Sequence, residues 1–551
     1  MKRRYGILLI ALLFPLTFAG AHSEKQFSSQ RDVSAAKKKI DDEFLAAILV
    51  ASNQYAGEVD YEKLTRSSIV GMLRTLDPHS SYFDPKQWEK FFNDQRSRYF
   101  GIGSVISQRN NRIYIISPTT GTPSYRAGFR YGDEILEVNG EKVTGMNVSQ
   151  VSSKLIGPEG TSVTVKIQRL GEPEPAEHKF TRAAVPFPSI TNTFMLGKSG
   201  VGYVNLQRGF NTTTADEMER SMQRLRAQGM SALVLDLRDN GGGLVDQAWQ
   251  ILNRFLYRGQ KIVSLRGRPG VFPSRDFAAN NTSPEDIPVV VLMNRFSASA
   301  SEIVAGALQD HDRARIVGEN SFGKGLVQNP FPLNDGSGLI LTTGKYYTPS
   351  GRLIQREYSG RSFYDYYLQR GDKEAVQQGE EKRTDSGRAV YSGGGIQPDV
   401  EAKIRYTPQE LKLQREWYDA VFEFVRPLVA GQIPGFPEFK VEGPADHSHN
   451  LAPNEFVVND KLIDAFKKFL KGHKDFSAME ARVNKEADFL KRQIRYELVT
   501  AAYGADNAYQ VLLEADNQVI AAIAEVPKAR AMAEDAVRTR GSARGDIRRN
   551  D

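Results

Sequence analysis

The sequence predicts a multidomain α/β protein, with a mainly parallel-sheet α/β core, a β-rich domain before it, and helical N- and C-terminal regions. Three observations carry this expectation. Between residues 187 and 350, apolar strand-like runs alternate with helix-periodic segments, the pattern of a sheet built by crossover connections. From Tyr99 to Ile167 the texture is one of short strands and glycine turns. Residues 33–95, and those beyond Thr407, instead carry apolar positions three and four apart. With 551 residues, 40% apolar and 25% charged, the chain has the length for roughly two to four ordinary globular domains.

Taken in order, the chain opens on Lys2, Arg3 and Arg4, an apolar run from Ile7 to Phe18, and Ala19-Gly20-Ala21 before His22. This reads as a signal peptide over residues 1–21. The run is shorter than the ~20 residues a membrane span needs, which favours cleavage over an uncleaved anchor. There is no cysteine, which excludes disulfides, a thiol nucleophile, cysteine-bound zinc and a lipidated N-terminal cysteine. Export without disulfides points to a bacterial envelope, hence a periplasmic location with membrane association left open. The net charge of +7 is concentrated at the two ends, so no nucleic-acid partner is expected.

Residues 22–95 form the N-terminal helical region, with Ile40, Phe44, Ala47, Ile48 and Ala51 spaced for one helix face. Leu76 to Phe83 (LDPHSSYF) interrupts it as a turn, in which His79 reads as a hydrogen-bonding residue. Residues 96–186 contain Phe100-Gly101-Ile102-Gly103, the strand Arg112–Ile116, the string AGFRYGDEILEVNG from Ala127, a short helix bearing Val148, Val151 and Leu155, and Ser162–Ile167. In this order the pieces resemble a PDZ domain. The resemblance implies that Phe100, Gly101, Ile102 and Gly103 bind a peptide's C-terminal carboxylate through backbone N–H groups, the ligand adding as a strand.

Residues 187–405 are the α/β core. Val201–Leu206, Ala232–Leu237, Ile262–Leu265 and Pro288–Met293 read as successive strands, and Thr214–Arg226 as a helix. Asn240-Gly241-Gly242-Gly243 follows a strand and precedes a helix, where backbone N–H groups can face a developing negative charge. After Met293 come Ser297, Ser299 and Ser301, at the turn from a buried strand into a helix, the place where α/β sheets carry their sites. Ser299 is the candidate nucleophile, although Ser299-Ala300-Ser301-Glu302 also fits a capping box, and on these residues alone the cap is the stronger reading.

A serine nucleophile needs a base. The histidines are His22, His79, His178, His311, His447, His449 and His473; His311 is the one near Ser299 in sequence, roughly 18 Å along the same helix and out of reach. Lys324, between Gly323 and Gly325, has no acidic neighbour from Ser321 to Pro332, a setting in which burial can keep an amine neutral. Gln328 follows four residues later and, in an extended segment, shares its face. Gly318 to Gly325 narrowly misses a phosphate-binding loop, because Gly325 stands where the metal-binding hydroxyl belongs; nucleotide binding is excluded.

Ser299, Lys324 and Gln328, with LDPHSSY, DLRDNGGG and GGGIQPD, resemble the carboxy-terminal processing (tail-specific) protease family over more than half the chain. The resemblance implies Ser299 as nucleophile, Lys324 as general base, Gln328 as its orienter, and an oxyanion hole from the N–H groups of Ala300 and Gly242. It calls for no cofactor and no metal. Partners implied are proteins or peptides with accessible C-termini, with room for an adaptor and for self-association. The family usually has Asn-Pro-Gly-Gly where this chain has Asn240-Gly241-Gly242-Gly243. Residues 406–551, helical with a basic, disordered tail, lie outside the resemblance and are expected to serve packing, assembly or gating. A different class stays open: a non-catalytic PDZ scaffold or chaperone of the envelope with a vestigial protease core.

Overall fold

The computed structural model describes residues 25–368, 379–402 and 407–547; the expected signal peptide lies outside them. The chain divides into two units between Thr75 and Leu76. The first contains helices Lys25–Gln54 and Tyr61–Arg74. The second of these starts at Asp60, whose carboxylate accepts the Lys63 N–H at 2.9 Å, a cap that satisfies one of the orphan donors of the first turn.

The larger unit is built around a six-stranded sheet in the order Ile190–Met195, Val201–Leu206, Ala232–Asp236, Val289–Met293, Ala314–Gly318 and Val400–Glu401. Every residue of Ala232–Asp236 and Val289–Met293 is buried, as unbroken apolar runs require when both sheet faces are covered. Helices Thr214–Ala227, Val245–Phe255 and Ala300–Asp310 contribute Met218, Leu252 and Val304 to the core on one face. The other face is covered by Asn517–Ile547, whose Val519, Ala522 and Ala529 pack with Val234, Val290 and Val317. The C-terminal segment is therefore a layer of the core. It also runs as helix to Ile547, where the sequence suggests a disordered tail.

The expectation of a mainly parallel core needs correction. Four successive pairs of this sheet are parallel, but its first pair is antiparallel, and so are the other four sheets of the described residues. The strand Lys261–Gly267, read as continuing the parallel series, leaves it. It pairs antiparallel with Arg275–Ala278 and Gly338–Tyr347. Hydrophobic periodicity reports which face is buried, not which strand lies alongside.

The PDZ region is an antiparallel sheet with Ser104–Arg109 at its edge, next to Arg112–Pro118, and with helix Val148–Leu155 packed beside that edge. Its rear face is not solvated. Tyr114, Ile116 and Tyr131 share a core with Trp417, Phe422 and Leu498 of the C-terminal helices. A buried ion pair, Arg109 to Glu497 at 3.2 Å, crosses the junction, and the Tyr131 hydroxyl donates to the same carboxylate at 2.8 Å.

Candidate active site

Of the three clustered serines, Ser297 and Ser301 are fully buried. The Ser297 hydroxyl donates to the Leu237 carbonyl at 2.8 Å and that of Ser301 to the Asn240 carbonyl at 2.9 Å. They tie the start of the helix to the neighbouring glycine loop. Ser299 alone of the three is partly exposed. It occupies the N-cap of Ala300–Asp310 with φ 58° and ψ −115°, a conformation costly for a residue with a Cβ and found where a sharp strand-to-helix turn lifts a serine out of the sheet. Cap and candidate nucleophile are thus one position: the Ser299 N–H donates to Glu302 Oε2 at 2.8 Å, as a capping box requires.

Glu302 does more than cap. Buried completely, its carboxylate also accepts the Lys324 N–H on Oε2 at 2.9 Å, and the Gly323 N–H and Ser321 hydroxyl on Oε1 at 2.7 and 2.5 Å. One oxygen therefore holds the backbones of both Ser299 and Lys324. Tyr346 repeats the clamp from the carbonyl side, its single hydroxyl hydrogen shared between the Lys324 carbonyl, the nearer, and the Ser299 carbonyl at 3.1 Å. Burial pushes the Glu302 carboxyl up to about 7 despite its four donors. Replacing Glu302 by glutamine would aim an amide NH₂ at one pair of those donors in either flip. Glu302→Gln is expected to cost about 1–3 kcal/mol of stability and to depress activity by loosening the Ser299–Lys324 geometry. Chemical denaturation together with peptide cleavage checks this, and unchanged values for both would contradict it.

The Lys324 amine donates to Gln328 Oε1 at 2.6 Å. Burial lowers its pKa from the usual lysine value, outweighing the opposing carboxylates of Glu302 and Asp77. Gln328 lies in strand Leu326–Pro332, next to a break in the register with Gly338–Tyr347 between Val327 and Gln328. The Gln328 amide is held in turn, Nε2 donating to the His79 carbonyl at 2.7 Å. His79 is thus tied to the site by its backbone, while its ring lies between the hydroxyls of Tyr366 and Tyr367. His311 sits at the far end of the helix, bonded to Asp385 and to the Lys261 carbonyl.

Gly242 lies against the serine turn. A Cβ there would come within 2.6 Å of Ser299 Cβ and 2.9 Å of the Ala300 nitrogen, so only glycine fits, at φ 101°. Its N–H already donates to Asn240 Oδ1 at 2.8 Å, and would exchange that partner to serve an oxyanion. The Ala300 N–H is the first of its helix and has no intrahelical acceptor. The strand leading to this loop is anchored by Arg238, 5% exposed, between Asp236 and Asp516 of the C-terminal region.

In the PDZ loop, the Phe100, Ile102 and Gly103 carbonyls accept from Gly157, Ser124 and Thr119 N–H groups at 3.2, 2.9 and 2.8 Å. A trans peptide puts C=O and the next N–H on opposite sides, so the N–H groups of Gly101, Gly103 and Ser104 turn away from these partners. Gly103, at φ 81°, would drive a Cβ to 2.3 Å from Thr122. Beside the loop, the open edge of Ser104–Arg109 carries Val105, 48% exposed.

Residues 200–360 match peptidase family S41, and residues 114–169 match the PDZ domain. The carboxy-terminal-processing protease of Bartonella bacilliformis is 38% identical over 306 residues, 55% of this chain and 69% of that protein. The carboxy-terminal processing protease CtpB of Bacillus subtilis is 34% identical over 355 residues, 64% of this chain and 72% of that protein. Among solved structures, the photosystem II D1 C-terminal processing protease is 32% identical, over 56% of this chain and 83% of that one, at a TM-score of 0.33. With its serine on the sharp turn and its PDZ domain in place, the chain belongs to peptidase family S41, as a serine endopeptidase of the carboxy-terminal processing protease family.

Proposed function

We propose that this protein is exported to the periplasm, captures protein C-termini on its PDZ domain, and cleaves an upstream peptide bond of envelope substrates with a Ser299–Lys324 dyad. Ser299 Oγ attacks the scissile carbonyl as its proton passes to neutral Lys324 Nζ. Negative charge develops beside the Ala300 N–H, with Gly242 as the second donor once it leaves Asn240. Lys324 then gives the proton to the leaving amine, and the acyl-enzyme is hydrolysed by a water that Lys324 deprotonates. Gln328 accepts one amine hydrogen, which leaves the nitrogen lone pair for the serine. The observation that carries this reading is the double clamp: Glu302 and Tyr346 each bind both Ser299 and Lys324.

Periplasmic location is supported by the basic, apolar and small-residue order of residues 1–21 and by the absence of cysteine. C-terminal capture is supported by the outward N–H groups at Gly103 and Ser104 beside an open strand edge. Its test is a peptide substrate with a free C-terminal carboxylate compared with the same peptide amidated. The free acid is expected to give a kcat/KM about ten- to a hundred-fold higher, the difference that charged hydrogen bonds make. Equal values would remove the PDZ loop from substrate selection.

A further inference from the structure

The Gln328 amide can bond to Lys324 in two ways, and only one suits a base. With Oε1 towards the amine, as found at 2.6 Å, the lysine donates a hydrogen and keeps its lone pair. Turned over, Nε2 would donate into that lone pair and compete with the Ser299 hydroxyl. What selects the first arrangement is the acceptor on the other side of the amide, the His79 carbonyl at 2.7 Å.

That carbonyl is placed by an unusually complete set of contacts. Asp77 Oδ1 accepts the N–H groups of His79 and Ser80, both at 2.8 Å, and Oδ2 accepts the Ser80 hydroxyl at 2.7 Å. The imidazole on the same residue is buried. The Tyr367 hydroxyl donates to the Pro78 carbonyl at 2.9 Å, so towards His79 Nδ1, at 3.2 Å, it accepts. Nδ1 therefore carries the hydrogen, and neutral Nε2 accepts from the Tyr366 hydroxyl at 2.8 Å. Tyr366 in turn accepts from Gln355 Nε2 at 3.1 Å, while Gln355 Oε1 holds the Gly325 N–H at 2.8 Å, next to the lysine. Both ring nitrogens are thus committed to tyrosines, which takes the ring out of proton transfer and fixes the backbone that bears it.

We infer that His79, locked by Tyr366 and Tyr367, is a positioning residue that holds the Gln328 amide in the orientation leaving the Lys324 lone pair free. This rests on the Ser299–Lys324 reading above. It assigns a task to the segment Leu76–Ser80, ahead of strand Ser81–Phe83, and to the helix Phe363–Tyr367.

The test is a double-mutant cycle on the full chain, cleaving a peptide with a free C-terminus. His79→Ala and Gln328→Ala are each expected to lower kcat on the order of ten- to a hundred-fold, the scale of a misplaced catalytic group, with KM unchanged within about two-fold. The double variant should be no slower than the slower single one, because His79 acts only through Gln328. Tyr367→Phe, which removes a single hydroxyl, should lower kcat in the same sense and likewise add nothing to Gln328→Ala; it keeps the test intact if His79→Ala fails to fold. Losses that multiply in both cycles, or an effect carried by KM, would overturn the inference. Lys324→Ala, run beside them, separates the two readings: full activity there sinks the dyad itself, whereas an inactive Lys324→Ala with multiplicative cycles sinks only the role of His79.

Discussion

Ser299→Ala is expected to lower cleavage of a tailed peptide by about 10⁴- to 10⁶-fold, the range for a lost serine nucleophile, while leaving the fold intact. The contacts that place Ser299 are made by its backbone: the N–H to Glu302 at 2.8 Å and the carbonyl to Tyr346 at 3.1 Å. Alanine keeps both. It also keeps a Cβ at φ 58°, so the turn gains no relief, and only the cap hydroxyl is lost. Stability should fall by no more than about 1 kcal/mol, the usual cost of replacing an N-cap serine by alanine. Kinetics and a denaturation curve on one preparation check both halves, and robust proteolysis by the folded variant would end the serine assignment.

Lys324→Ala should cost about 10²- to 10⁴-fold in kcat, the contribution of a positioned general base. Lys324→Arg should do no better, since guanidinium keeps its charge and cannot accept the proton. The wild-type pH profile should carry the same signature. Burial lowers the amine's pKa, so activity should rise with pH through a limb below the ordinary lysine value and fall away on the acid side, where the amine is protonated. The linkage follows from the same shift. Between the lowered value and about 10.4, the unfolded lysine binds a proton that the folded one does not, so this group's contribution to stability rises with pH, by at most about 1.4 kcal/mol per unit. Lys324→Ala should remove both the activity limb and that slope; an unchanged acid limb would place the base elsewhere.

What could be read from the sequence was the spacing of single residues capable of chemistry. Ser299 at a strand-to-helix turn, a lysine among apolar neighbours, an amide four residues on and a glycine loop all stand together in the fold. What could not be read were contacts made across the chain. The lysine's surroundings looked free of acid from Ser321 to Pro332, yet Glu302 reaches its backbone N–H from the serine's own helix, and Asp77 adds a second charge. Glu302 was visible as half of a capping box, and its buried second function was not. His79 read as a hydrogen-bonding turn residue, but nothing local shows that its carbonyl meets Gln328, 249 positions away. Tyr346 carries no motif at all. The glycine loop reads as a source of free N–H groups, and only the folded chain shows Asn240 turned under it and bonded to Gly242. The C-terminal helices fall outside the family's motifs, yet Val519 and Ala522 cover a face of the sheet and Asp516 holds the arginine before that loop. Amphipathic periodicity told of their helices, not of the surface they cover.

The most direct test of the Ser299–Lys324 dyad is covalent labelling by a serine-reactive phosphonate, mapped by mass spectrometry across a range of pH. One adduct is expected, on Ser299, whose rate of formation rises with pH through the limb that governs cleavage and collapses in Lys324→Ala. Labelling of Ser297, Ser301 or another serine, or a Ser299 rate indifferent to both pH and Lys324, would contradict it.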